Sequence, residues 1–160
     1  MEKVAKAVLR YLFQQYQQEP AVIYSINGVT SLHKSDPVVV SDYLVERKWV
    51  REQWVYDNNT VRCRITIEGI EVVDPLFIHH RLKKLISALM DGEGRQSLMQ
   101  LFHHNLAEYQ IALDIVHEMT KRDLVTIHNI AGNIEVQLTS DGWRYSENEG
   151  KHLFTLMSVA

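Results

Sequence analysis

Apolar residues at helical spacing predict a long helix near the start of the chain. They recur every three or four positions, at Val4, Val8, Leu9, Leu12, Phe13 and Tyr16. This period places the side chains on one face of a helix over residues 2–18, which Pro20 ends. A second helix is predicted from Asp36-Pro37 to about Lys48, because Asp caps helix N-termini and Pro suits the first turn.

The pattern then changes to that of β-structure. A short strand and a short helix around Val29–Lys34 are expected before the second helix. After it, apolar and polar side chains alternate, as they do in a half-buried strand. The apolar positions are Val61, Cys63, Ile65 and Ile67, and the polar ones are Arg62, Arg64 and Thr66. Residues 50–56 are the predicted antiparallel partner, because Asp57-Asn58-Asn59-Thr60 has the composition of a turn.

The second half of the chain repeats this order. Asp74-Pro75 predicts another helix start, and glycines 92 and 94 predict the end of that helix. Its inward face is formed by Ile78, Leu82, Leu85, Ile86, Leu89 and Met90. A short helix is expected over residues 98–102, and Asn105-x-x-Glu108 resembles the capping box of a further helix. Strands are predicted at 124–129 and 134–139.

Two segments of the chain resemble each other directly. Residues 44–74 and 119–149 each run from a charged helix end through a strand, a polar turn and an alternating strand to Thr-x-x-Gly. Thr66 and Gly69 correspond to Thr139 and Gly142, an offset of 73 residues. An internal repeat of this length predicts two units of nearly equal size.

Helix, short helix, helix and hairpin is the order of a winged helix-turn-helix domain, and the chain resembles a tandem form of that superfamily. Leu138-Thr139-Ser140-Asp141-Gly142 is similar to the Leu-Thr-x-x-Gly that follows the wing in bacterial transcription regulators of the MarR and PadR type. Residues 65–69 match it with Ile for Leu.

The resemblance implies an α+β protein of two tandem winged-helix domains, each with three helices and a small antiparallel hairpin or sheet. The first domain is expected over residues 1–74 and the second over 75–150. Residues 151–160 form an apolar tail outside the pattern. This tail could pack on the core or on another subunit. In the second case the protein would be a homodimer.

Charge and composition limit the functions that fit. The chain has 17 Lys+Arg against 20 Asp+Glu and a net charge of −3, so the strongly basic balance of a dedicated nucleic-acid binder is absent. A local basic patch remains compatible with these counts. Cys63 is the only cysteine, and no apolar stretch approaches the length of a membrane span or a secretory signal. A cytoplasmic protein without membrane association is therefore expected.

The resemblance also implies binding of double-stranded DNA, with the third helix of a unit in the major groove and the wing on phosphate. Arg51, Arg62 and Arg64 are the predicted wing contacts. The other candidate residues are Lys34, Ser41, Arg47 and Lys48 in the first unit and Gln110, Lys121 and Arg122 in the second. The alternative for Arg62 and Arg64 is the solvated face of an amphipathic strand.

A rival function is a protein–protein assembly adaptor, since tandem winged helices also serve as interaction modules. The acids of the candidate recognition helices, such as Asp42 and Glu46, favour this rival because they would repel phosphate. Trp49, Trp54 and Tyr56 could form a platform for bases. The spacing of Trp54 and Tyr56 favours packing on the first helix, and Trp49, where helix meets strand, is expected in the core. A small-molecule sensor that uses Tyr11, Tyr16 and Tyr24 is a third class.

No enzyme, metal site or cofactor is expected. The nucleophile-elbow, P-loop and dinucleotide-binding fingerprints are absent from the sequence. The histidine pairs 79–80 and 103–104 are adjacent in sequence, whereas helical metal ligands need a spacing of three or four residues. Lys121 occupies the place of the second histidine in the partial His-Glu-x-x-His pattern at His117. Cys63 alternates with apolar neighbours and is expected in the core.

Overall fold

The structure is a computed structural model that describes residues 1–29, 34–102 and 105–145. It divides into two compact units, one from Met1 to Ile78 and one that begins at His79. This division falls inside a helix that starts at Pro75, whereas the sequence-based boundary is drawn at the start of that helix. The predicted short helix around Val29–Lys34, the histidine pair 103–104 and the tail 151–160 lie wholly or mostly outside the described residues.

The first unit is an α+β arrangement built on a three-stranded antiparallel sheet. Its elements are α1 (Glu2–Gln18), β1 (Tyr24–Ser25), α2 (Pro37–Glu46), β2 (Val50–Val55), β3 (Val61–Ile65) and α3 (Ile67–Val73). In the sheet, β3 lies between β1 and β2. The predicted cap of α2 is confirmed, because the Asp36 carboxylate accepts a hydrogen bond of 2.9 Å from the Val38 amide.

The second unit has the same sheet topology. Its elements are α4 (Pro75–Asp91) from His79 onward, β4 (Arg95–Ser97), α5 (Leu98–Phe102), α6 (Leu106–Lys121), β5 (Val125–Ile130) and β6 (Asn133–Leu138). Here β6 lies between β4 and β5, as β3 lies between β1 and β2 in the first unit. Residues 140–145 are helical and follow β6 as α3 follows β3. The α+β class with two small antiparallel sheets is confirmed.

The predicted apolar faces form the cores of the units. The inward side of α1 is buried from Ala5 to Tyr16, and Val61, Cys63 and Ile65 of β3 are buried with it. In the second unit the inward faces of α4 and α6 are buried, as are Val136 and Leu138 of β6. Each fully buried aliphatic side chain contributes roughly 1.5–3 kcal/mol relative to exposure.

The Thr-x-x-Gly motif has one geometry in both units, and we call it the Thr–Gly junction. In the first unit it comprises Thr66, Gly69 and the segment Lys48–Trp49. The Thr66 hydroxyl donates a 2.6 Å hydrogen bond to the Lys48 carbonyl and accepts one of 3.1 Å from the Gly69 amide. The Thr66 amide donates to the Trp49 carbonyl at 3.0 Å. These bonds cap α3 and join it to the start of β2.

The second junction repeats these contacts with Thr139, Gly142 and the segment Asp123–Leu124. The Thr139 hydroxyl donates to the Asp123 carbonyl at 2.6 Å and accepts from the Gly142 amide at 3.0 Å. A Cβ added at Gly142 would lie 2.1 Å from the Leu124 carbonyl oxygen, and one at Gly69 would lie 2.2 Å from that of Trp49. Only glycine fits this approach of helix to strand.

One prediction about the first hairpin is wrong. Trp54 and Tyr56 were expected to pack on α1, but they are 58% and 47% exposed. The register of β2 against β3 shifts between Arg51 and Trp54, and Glu52 has a positive φ of 55°. This β-bulge inserts a residue and reverses the alternation, so that Trp54 shares the outer face with Arg51.

Candidate functional site

The outer surface of the β2–β3 hairpin carries all three predicted wing residues. We call it the hairpin face, defined by Arg51, Trp54, Tyr56, Arg62 and Arg64. Arg51 lies directly across from Arg64, and Trp54 lies across from Arg62. The guanidinium carbon of Arg62 is 5.8 Å from the centre of the Tyr56 ring, within the range of a cation–π contact. The hairpin face therefore combines aromatic and cationic side chains.

Arg64 does not present a free charge on this face. Its Nε lies 3.0 Å from the Glu52 carboxylate, and its Nη2 donates a 2.6 Å hydrogen bond to the Ala21 carbonyl. Only 21% of the Arg64 side chain is exposed. A group that is paired and covered in this way would have to break internal contacts before it reached a phosphate. Arg64 is thus a structural residue, and Arg51 and Arg62 remain the exposed cations of the hairpin face.

The candidate residues at α2 are similarly occupied. Ser41 is fully buried, and its hydroxyl donates to the Val38 carbonyl at 2.9 Å and accepts from Gln53. It is therefore withdrawn from the set of surface contacts. The Arg47 guanidinium lies over Tyr43, 3.7 Å from the ring centre, and 5.6 Å from the Trp49 ring. Arg47 is exposed but is held by these two rings.

The outward side of α2 is apolar and acidic. Its exposed residues are Val39, Asp42, Val45 and Glu46, and the helix contains no lysine or arginine. Lys34 and Lys48 are exposed on either side of the helix. Lys48 has a positive φ of 61°, and its carbonyl is part of the first Thr–Gly junction. The observed helix therefore offers no cation to the major groove, and Arg47 and Lys48 follow only at its C-terminal end.

The second unit offers a weaker set of candidates. Gln110 is half-buried, and Lys121 is exposed at the end of α6. Arg122 forms an ion pair of 3.2 Å with Glu118, one helical turn earlier. On the second hairpin, Glu135 is bound by Arg95 through two side-chain contacts. The second hairpin therefore shows an internally paired charge at the position where the first exposes Arg62.

The other residues with possible chemical roles make structural contacts instead. Cys63 is fully buried, and burial raises the pKa of its thiol to about 12, so it is a core residue. The Tyr24 hydroxyl donates a hydrogen bond to the Glu19 carbonyl at 3.0 Å. The pKa of Tyr24 is raised, most by burial and next by the negative charge of Glu19. His117 Nδ1 lies 2.7 Å from the Leu113 carbonyl oxygen. Within the described ranges, no cluster of three or more His, Cys, Asp or Glu side chains could hold a metal ion.

Sequence reasoning missed two features of this surface. The bulge at Glu52 exposes Trp54, and the sequence pattern of β2 does not predict this bulge. Val39 and Val45 are also exposed on α2, a feature about which no prediction was made from the sequence. The run Val38-Val39-Val40 was the available signal, because three consecutive apolar residues on a helix cannot all face one side.

Comparison with known proteins gives no family for this chain. Among the residues that the structure describes, none of the helices is both long and apolar enough to cross a membrane. No protein-family model, no curated protein and no solved structure matches the sequence or the fold.

Proposed function

We propose that the chain is a tandem winged-helix protein that works by binding another protein. The fold part of the proposal rests on the repeat. Both units run from a helix through a short strand and further helical structure to a hairpin, and in both the last strand is central. Both also close the hairpin with a Thr–Gly junction. Helices followed by a hairpin in this order resemble the winged-helix arrangement.

The observation that carries the function is the exposure of large apolar side chains on the β2–β3 hairpin and on α2. Trp54, Val55 and Tyr56 are each about half exposed on the hairpin, and Val39 is half exposed on α2. Aromatic residues and arginine are enriched in protein interfaces, and Trp, Tyr and Arg dominate their binding energy. A phosphate-binding surface would need lysine and arginine in these places.

The charges around these side chains indicate the chemistry of the partner. Arg51 and Arg62 are exposed next to Trp54, while Asp42 and Glu46 are exposed on α2. A half-exposed aromatic centre with two exposed arginines on the same face of the hairpin suits a protein segment with apolar anchors and at least one carboxylate. The negative charges of α2 disfavour the uniformly anionic backbone of DNA.

Double-stranded DNA is the second candidate, and one observation favours it. Arg51 and Arg62 are exposed and share the outer face of one hairpin, with Lys34 and Lys48 exposed elsewhere in the unit. Four cations on one unit suffice for phosphate contacts if they reach one duplex. Binding of that kind weakens steeply with salt, because neutralised phosphates release counterions.

A comparison of variants distinguishes the two candidates. Trp54→Ser with Tyr56→Ser removes the aromatic centre, and Ile130→Ser changes an exposed apolar residue of the second hairpin as a matched control. We expect cross-linking in cells to recover a polypeptide with the wild type and with Ile130→Ser but not with the double variant. The purified polypeptide should then bind at least about thirtyfold more weakly to the double variant, the loss typical of an interface hot spot.

A DNA-binding titration provides the result that would favour the second candidate. Duplex DNA of random sequence is titrated over a salt series with wild type and with Arg51→Glu/Arg62→Glu. Binding with a clear negative salt slope that the arginine variant loses would replace the protein-partner proposal with DNA binding. Equal recovery of all polypeptides by wild type and the Trp54/Tyr56 variant would reject the proposed interface.

A further inference from the structure

The second unit contains a cavity that the proposed function does not use. It has a volume of about 190 Å³ and lies among α4, α5 and α6. Its walls are mostly apolar and include Leu85, Ala88, Phe102 and Ile115. An apolar cavity of ~150 Å³ is known to stay dry and to bind benzene. A space of this size and lining therefore fits the apolar body of a small molecule.

The charged residues of the lining, Arg81, Lys84 and Glu108, are half-buried or exposed, and we call the part of the cavity that they line its mouth. Arg81 of α4 and Glu108 of α6 form a two-contact ion pair that lines it, with Nη2 3.2 Å from Oε1 in one contact. Lys84 also lines the cavity and is exposed, one helical turn after Arg81 on α4. Among the described lining residues, Glu108 compensates one of the two cations, so their formal charge sums to +1.

We propose that this cavity binds a small aliphatic carboxylic acid, with its chain inside and its carboxylate at the mouth. The apolar walls exclude a ligand whose polar groups must enter, because unpaired buried polar groups are costly. The excess positive charge, which Lys84 contributes, favours an anionic head over a neutral one. A chain of about six carbons suits the volume, given that benzene fills a somewhat smaller cavity.

The test uses the full chain with hexanoate and 1-hexanol as probes, which share an apolar body and differ in charge. Isothermal titration should show saturable binding of hexanoate at one site, with a lower Kd than for 1-hexanol. Ala88→Leu, which fills the cavity from α4, should weaken hexanoate binding more than tenfold. Lys84→Gln should weaken it about fivefold, the range of an exposed ion pair, and leave 1-hexanol unchanged.

Lys83→Gln is the matched control, because Lys83 is exposed on the same helix but does not line the cavity. We expect it to bind both probes as the wild type does. Absence of saturable hexanoate binding to the wild type would overturn the proposal, and so would equal Kd values for the two probes. If Ala88→Leu fails to fold, the lysine pair decides: equal hexanoate affinities for Lys84→Gln and Lys83→Gln would reject the site.

Discussion

The Thr–Gly junction of the first unit gives the sharpest test of the structural reasoning. Thr66→Val keeps the shape of the side chain and removes its hydroxyl. The variant loses the hydrogen bond that caps α3 at the Gly69 amide and the one to the Lys48 carbonyl. Loss of a helix cap costs about 1 kcal/mol, and loss of a further hydrogen bond costs about the same.

We therefore expect Thr66→Val to lower the free energy of unfolding by about 2 kcal/mol. The Lys48 carbonyl belongs to an exposed residue, so water can replace the hydroxyl there, and the larger penalty for a buried unsatisfied group does not apply. If the first unit melts on its own, this loss lowers its Tm by roughly 8–16 °C. Urea unfolding followed by circular dichroism measures the free energy, and calorimetry measures Tm.

The repeat supplies the comparison. Thr139 makes the equivalent two hydrogen bonds in the second unit, so Thr139→Val should show a similar loss. Thr126→Val is the control, because Thr126 is exposed on β5 and lies outside both junctions. A change below about 0.5 kcal/mol in both junction variants, the size of an ordinary surface substitution, would refute the structural role assigned to the motif.

Three further outcomes are expected. Gly142→Ala should cost about 3 kcal/mol in urea unfolding, because the new Cβ meets the Leu124 carbonyl oxygen at 2.1 Å. Cys63 should resist thiol reagents in native protein at pH 8, and rapid labelling would contradict its burial. Because burial raises the pKa of the Cys63 thiol from 9.0 to about 12, its contribution to the free energy of unfolding should be complete below pH 9 and decline as the pH rises toward 12. Arg64→Met should destabilise the first unit by about 1–2 kcal/mol, whereas Arg62→Met should be neutral; equal effects would show that the contacts of Arg64 are unimportant.

Local periodicity predicted α1, α4 and α6 well because their burial follows from spacing alone. The inward face of α1 was read from its apolar positions, and each of those from Val8 to Tyr16 is buried. Periodicity was wrong at Ile67, which was assigned to the alternating strand but begins α3 after the Thr66 cap. Strands with few apolar residues escaped this approach. β4 has the sequence Arg-Gln-Ser and is defined by its hydrogen bonds to β6, which depend on tertiary pairing rather than on its own residues.

The sequence predicted which residue types lie at the candidate site but not which of their side chains are exposed for binding. Sequence spacing placed Arg62 and Arg64 on one strand face, and the register agrees. It could not distinguish their environments, because the carbonyl that binds Arg64 belongs to Ala21, 43 residues earlier. The same limit applies to Ser41, whose burial arises from the approach of β2 rather than from the pattern of α2. Contacts between distant segments decide which charges remain exposed.

The short reach of the Thr–Gly junctions has a consequence for how the chain acquires its structure. The hydroxyl–carbonyl bonds join residues only 18 and 16 positions apart, in the first and second unit respectively. Closing such short loops costs little chain entropy, and contacts of low sequence separation form early in folding. We therefore expect each hairpin to form early in the folding of its own unit. The two units can begin to fold independently, before β1 pairs with β3 and β4 pairs with β6.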